Sequence, residues 1–173
     1  MLVIRKATKM VLTYLLVFLM SSAPQGTNCW RGITPLRSTR ADVEKILGPP
    51  TPYSKAADAA DYRTKDERVF VLYSTGSCDA NSSNGWNVPS GTVISISIEP
   101  NTKPKVVDLK LDESKYHKAR DPEVRYLTHY TNETEGVSIE VNTDEGVVNA
   151  FRYSPMSKDN NLRCTTSTPK PIR

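Results

Sequence analysis

Six short runs rich in Val, Ile, Tyr and Thr recur through the chain beyond its first third: 68–75 (RVFVLYST), 92–99 (TVISISIE), 105–111 (KVVDLKL), 124–131 (VRYLTHYT), 136–142 (GVSIEVN) and 146–154 (GVVNAFRYS). β-branched and aromatic residues at this density, in short pieces bounded by turn formers, specify strands. The separators EPNTKP, TNETEG and NTDEG are too short for the crossovers that a parallel sheet requires, so the strands pair antiparallel. Strict alternation in TVISISIE would place Val93, Ser95 and Ser97 on one side and Ile94, Ile96 and Ile98 on the other, giving one wet and one buried face.

An apolar sheet face needs a cover, and WRGITPLRSTRADVEKILGPP at 30–50 supplies one. Ser38 or Thr39 can N-cap a helix, Asp42 complements its amino-terminal dipole, and Val43, Ile46 and Leu47 recur on one stripe. Gly48 suits the carboxyl cap, and Pro49 and Pro50 forbid continuation. A helix this short is marginal alone and must lie on the sheet. The expected fold is therefore α+β, a short N-terminal helix packed on an antiparallel sheet of about six strands. Residues 55–62 (KAADAADY) read as a short helix or a connection, and 112–122 as a helical turn that stops at Pro122. A helical segment followed by strands thus occurs twice, a pattern that admits two tandem helix-plus-sheet units, although no fixed period emerges.

The amino terminus has the form of a cleaved secretory signal peptide over 1–26: Arg5, Lys6 and Lys9, an apolar run from Val11 to Met20, then Ser21, Ser22 and Ala23. One α+β domain is expected over 27–164 and a disordered polar tail over 165–173, with no membrane span once the leader is removed. The leader holds three of the 23 basic residues and no acidic one, leaving 20 against 19. The alkaline character belongs to the leader, and without a basic run nucleic-acid binding is excluded as a reading.

Three cysteines follow the leader, so one must be left over if a bridge forms. Cys78 ends one strand run and Cys164 follows the last, which favours that pair and makes Cys29 the odd thiol. HExxH, paired CxxC, EF-hand and GxSxG patterns are absent from the sequence, so no metal, cofactor or enzymatic activity is expected. His129 reads as a strand-face residue and His117 as an exposed one. Asn81 and Asn132 begin N-x-[ST] sequons. The stretch CDANSSNGWNVPSG at 78–91 is long and polar around a single Trp86, which either closes the core as a lid or, with Asn84 and Asn87, forms a contact surface. Trp30 is expected to pack on the sheet.

The order ITPLRSTRADVEKILGPPT, centred on Asp42, Val43, Leu47, Gly48 and Pro50, resembles the helix-plus-sheet units of outer-membrane assembly lipoproteins of the SmpA/OmlA type. The β-lactamase inhibitor proteins look similar in carrying two such units, and the WRGI-x-PLRSTR wording resembles exported bacterial proteins of unknown function. Cys29 does not sit in a lipobox, so a lipid anchor is not expected. The resemblance implies a protein-binding scaffold. The expectation is an exported, non-enzymatic protein-binding module of the bacterial envelope or periplasm, whose partner is another exported or envelope protein. The alternatives are a proteinaceous inhibitor of an exported hydrolase and, lower in rank, a cysteine-dependent enzyme.

Overall fold

The computed structural model describes residues 28–52, 58–78 and 85–164. The leader, the tail and Asn84 of the sequence reading lie outside them. No helix among the described residues is long and apolar enough to cross a membrane.

Helix α1 spans Arg40–Leu47. Thr39, in extended backbone, caps it: its Oγ1 accepts the Asp42 N–H at 3.3 Å, and Asp42 Oδ2 accepts the Thr39 N–H at 2.8 Å. Both orphan amides of the first turn are thereby satisfied. Ser38 serves the preceding turn instead, its Oγ accepting the Thr34 N–H. Gly48 takes φ +82°, where a side chain would be strained, and its N–H closes the last turn onto Glu44. Val43 is fully buried and Leu47 packs beside it, whereas Ile46 is 44% exposed. The expected three-residue stripe is narrower because residues four apart stack in line and the third veers to the side.

Seven strands, one more than expected, form a single antiparallel sheet: β1 Ala59–Arg63, β2 Glu67–Tyr73, β3 Val93–Pro100, β4 His117–Arg120, β5 Leu127–Asn132, β6 Val137–Asn142 and β7 Val147–Tyr153. Their order, β1-β2-β3-β7-β6-β5-β4, sets two meanders side by side with their last strands, β3 and β7, paired at the centre. Three segments depart from the sequence reading. Residues 59–63 are an edge strand rather than a helix, because Ala60 and Tyr62 alternate inward against Val71 and Val69. Residues 117–120 are a fully exposed edge strand, guarded by Lys118 and Arg120. The run 105–111 forms a 3-10 turn, Val106–Leu109, that lies over the sheet, and it touches the sheet as a strand would at Lys105 alone among the described residues, in an isolated bridge to Val147; a second 3-10 turn, Glu113–Lys115, follows.

Register shows that one sheet face is apolar across β1, β2, β3, β7 and β6 to Tyr130 on β5, with Lys118 and Arg120 at the β4 edge. Ile96 and Ile98 pair with Tyr153 and Phe151, and these in turn with Val137 and Ile139. Over β1 to β3 that face is covered by α1, Ile33 and Trp30; over β5 to β7 it is covered by Val106, Leu109, Leu111 and Tyr116 from the 3-10 segment. Tyr62 and Tyr73 meet within it, their hydroxyls 2.7 Å apart, and burial raises both phenols above their ordinary range.

The expected alternation in β3 is broken by a bulge. Leu72 opposes Ser95 and Tyr73 opposes Val93, so Ile94 is the extra residue. Val93 therefore joins Ile96 and Ile98, while Ile94 turns to the opposite face against Trp86, Val88 and Leu72. Two hairpins share one device: Asn132 and Asn142 each accept backbone N–H groups of the turn, and Gly136 and Gly146, four residues on, take positive φ. Asn132 is buried by this task, which removes it as a glycosylation acceptor.

Candidate functional site

Among the described residues the second sheet face is covered at one end only. There Trp86, at 5% exposure, packs on Ile94 and Leu72 with Leu36, Val88 and Leu162 around it, and the Arg163 guanidinium lies 4.5 Å from its ring centroid. The backbone fixes this lid: Asn87 N–H donates to the Leu162 carbonyl at 2.7 Å, Cys164 N–H donates to Gly85, and Cys78 is disulfide-bonded to Cys164. The bridge closes a loop of sequence separation 86, a constraint on the unfolded chain of about 4 kcal/mol in the chain-entropy view. Cys29 is the free cysteine. Trp86 is thus a core lid. Of the residues proposed beside it as a contact surface, Asn87 is exposed and Asn84 lies outside the described residues.

Beyond the lid the face is open. One register line crosses all seven strands: Asp61 opposes Phe70, Phe70 opposes Ser97, and Ser97 opposes Arg152. It continues from Arg152 through Ser138 and Thr131 to His117. Phe70 is 44% exposed at the middle of its strand. Asp61 is held by Arg68, whose Nε lies 3.0 Å from both carboxylate oxygens and whose Nη2 lies 2.6 Å from Oδ2; Arg68 also reaches Glu99 at 3.6 Å. This bidentate geometry fixes the guanidinium against the sheet.

A second bulge shapes the centre. Glu140 opposes Ala150 and Val141 opposes Val148, leaving Asn149 extra on β7. The bulge turns Asn149 onto the open face, where its Nδ2 donates to Glu140 at 3.3 Å and its Oδ1 accepts from Lys103 Nζ at 2.8 Å. Ser97 and Ala150 have short side chains, so the long ones around them stand as walls of a polar trough of about 630 Å³ lined also by Arg63, Arg68, Lys103 and Arg152. A smaller recess continues from it past Ser138 to His129. His129 Nε2 lies 3.1 Å from Asp121 Oδ2, and Asp121 also accepts the Glu123 and Val124 N–H groups. Those backbone hydrogen bonds, more than the histidine, hold the Asp121 carboxyl below its usual range.

Arg63, Lys103 and Arg152 form no ion pair among the described residues, whereas Arg68 is neutralised in place. The trough therefore presents unspent positive charge beside the carboxylates of Glu99 and Glu140. The sequence reading distinguished a wet face from a buried one but singled out none of these side chains. Its signal was available: Arg68 and Phe70 alternate with Val69 and Val71, and Arg152 stands between Phe151 and Tyr153. Among the described residues no group of three His, Cys, Asp or Glu side chains is placed to hold a metal ion.

No family model matches this sequence, and no curated protein matches it. Among solved structures the chain is similar to a DUF4309 family protein (YjgB) from Bacillus subtilis subsp. subtilis str. 168, at 16% identity and a TM-score of 0.46, over 76% of this chain and 86% of that one. That degree of likeness supports no functional reading.

Proposed function

We propose that this chain is an exported, non-enzymatic protein-binding module of the bacterial envelope or periplasm, and that its docking surface is the open sheet face around Phe70, Ser97 and Arg152. One observation carries the reading. The same strands are sealed on one side by α1 and the 3-10 segment, yet on the other they hold a half-exposed aromatic and a charged trough that nothing among the described residues covers. A buried-quality side chain among arginines on a flat, rigid sheet is the composition of a protein interface, in which aromatics and Arg carry most of the energy. Export is supported by the leader and by the Cys78–Cys164 bridge, which suits an oxidising compartment. The two meanders read as tandem units whose last strands pair to build one platform, in keeping with a scaffold.

The test is capture from native envelope extract with the disulfide-bonded protein as bait and the double variant Phe70→Ser/Arg152→Glu as control. A stoichiometric partner held by the parent and lost from the variant, with unchanged thermal unfolding, is the expected result. A partner held equally by both, or none above background, contradicts the proposal.

A further inference from the structure

We infer that the trough recognises an extended acidic peptide segment of the partner, laid across the strands so that its carboxylates meet Arg63 at one end and Arg152 at the other. This rests on the reading of the open face as a docking surface and specifies the chemistry of what docks there.

Charge and spacing carry the inference. Arg63 lies on β1 and Arg152 on β7, three strand spacings apart in the order β1-β2-β3-β7. At about 4.8 Å per spacing, and with Arg63 level with Glu99 but Arg152 level with Ser97 two residues away along β3, the separation is roughly 16 Å, the span of about four to five residues of extended chain. Neither arginine has an acidic partner among the described residues, and Lys103 between the trough walls is engaged only by the Asn149 amide. A guanidinium free of internal pairing offers a planar fork suited to a carboxylate.

The acidic members of the lining select the kind of ligand. Glu99 stands on β3 between the two arginine strands and Glu140 on β6 just beyond Arg152, so a uniformly charged polyanion would set charges against carboxylates within the trough and at its end. A peptide with acids about four positions apart and neutral residues between avoids that repulsion, and its amides meet the hydrogen-bonding side chains of Ser97, Asn101 and Asn149. The short side chains of Ser97 and Ala150 give a backbone room to lie close to the sheet.

The experiment measures fluorescence anisotropy of labelled Ser/Thr/Val peptides carrying two glutamates about four positions apart, against the twin with glutamines, on the disulfide-bonded protein at low salt. The glutamate peptide is expected to bind about tenfold more tightly than its twin, and Arg63→Gln and Arg152→Gln should each remove most of that preference without moving the thermal midpoint. Equal binding of the two peptides, no binding, or a preference that survives both arginine substitutions overturns the inference. So does tighter, arginine-dependent binding of dextran sulfate, which would assign the trough to a polyanion. If the acid preference is missing while the open-face variant still loses a captured protein partner, this inference falls and the docking reading stands; loss of both removes both.

Discussion

On β2 and β3, Val71 and Ile96 are fully buried beneath α1, while Phe70 and Ser97, one step away on the same strands, face the open side, Phe70 half-exposed and Ser97 lining the trough. The strands are identical in backbone and pairing, so the contrast lies entirely in what the chain provides to cover each side. The 3-10 segment and α1 both fall on one face, and among the described residues only the Trp86 lid reaches the other, at one end. One face thus keeps a half-exposed aromatic and arginines without an acidic partner among the described residues, whereas the other is packed into the core. Substitutions on the two faces should therefore separate folding from binding.

The largest effect belongs to the lid. Trp86→Ala empties a buried aromatic site and removes the stack on Arg163, so unfolding free energy should fall by about 3–5 kcal/mol in denaturant titration. A loss of partner binding at unchanged stability would instead make Trp86 part of the docking surface and blur the contrast. Ile96→Ala, on the sealed face, should cost about 3 kcal/mol, while Phe70→Ser, on the open one, should cost about 0.5 kcal/mol or less. Comparable costs for the two would show that the open face is covered in solution.

Losing the cap of α1 should cost less than losing either buried site. Thr39→Ala should cost about 1 kcal/mol by leaving a first-turn amide unsatisfied. The Thr39 backbone hydrogen bond, followed by its hydroxyl, holds the Asp42 carboxyl below its ordinary range. A carboxyl lowered in the folded state contributes stability above its unfolded value, and that contribution is lost as pH falls through the folded one. The stability difference between the parent and Asp42→Asn should accordingly be present at neutral pH and fade on acidification below the carboxylate range. A difference that grows on acidification would reverse the assigned sign.

The parts of this fold that were legible in the sequence are those fixed by local chemistry. The Thr39 cap, the Gly48-Pro49-Pro50 stop and the Asn-to-Gly hairpins declare themselves within a few residues, and most of the strand runs carry their own composition. What escaped depends on neighbours distant in sequence. AADYR has weak strand propensity, and it is the pairing of Ala60 and Tyr62 with Val71 and Val69 that makes it β1. The apolar run 105–111 looks like a strand, yet its value to the fold is to roof the second meander. The two bulges are invisible to a period of two, and they are what sends Ile94 under the lid and Asn149 into the trough. The site was readable only as a face, because its depth comes from Ser97 and Ala150 lying side by side from separate strands.

The claim that one face folds the protein and the other meets its partner is tested most directly by photo-cross-linking in living cells. A benzophenone side chain is placed at position 70 on the open face or at position 107, where Val107 is 78% exposed on the covered side. A discrete adduct from position 70 and none from position 107 is the predicted result. An adduct from position 107 alone would contradict the account, placing the contact on the covered side.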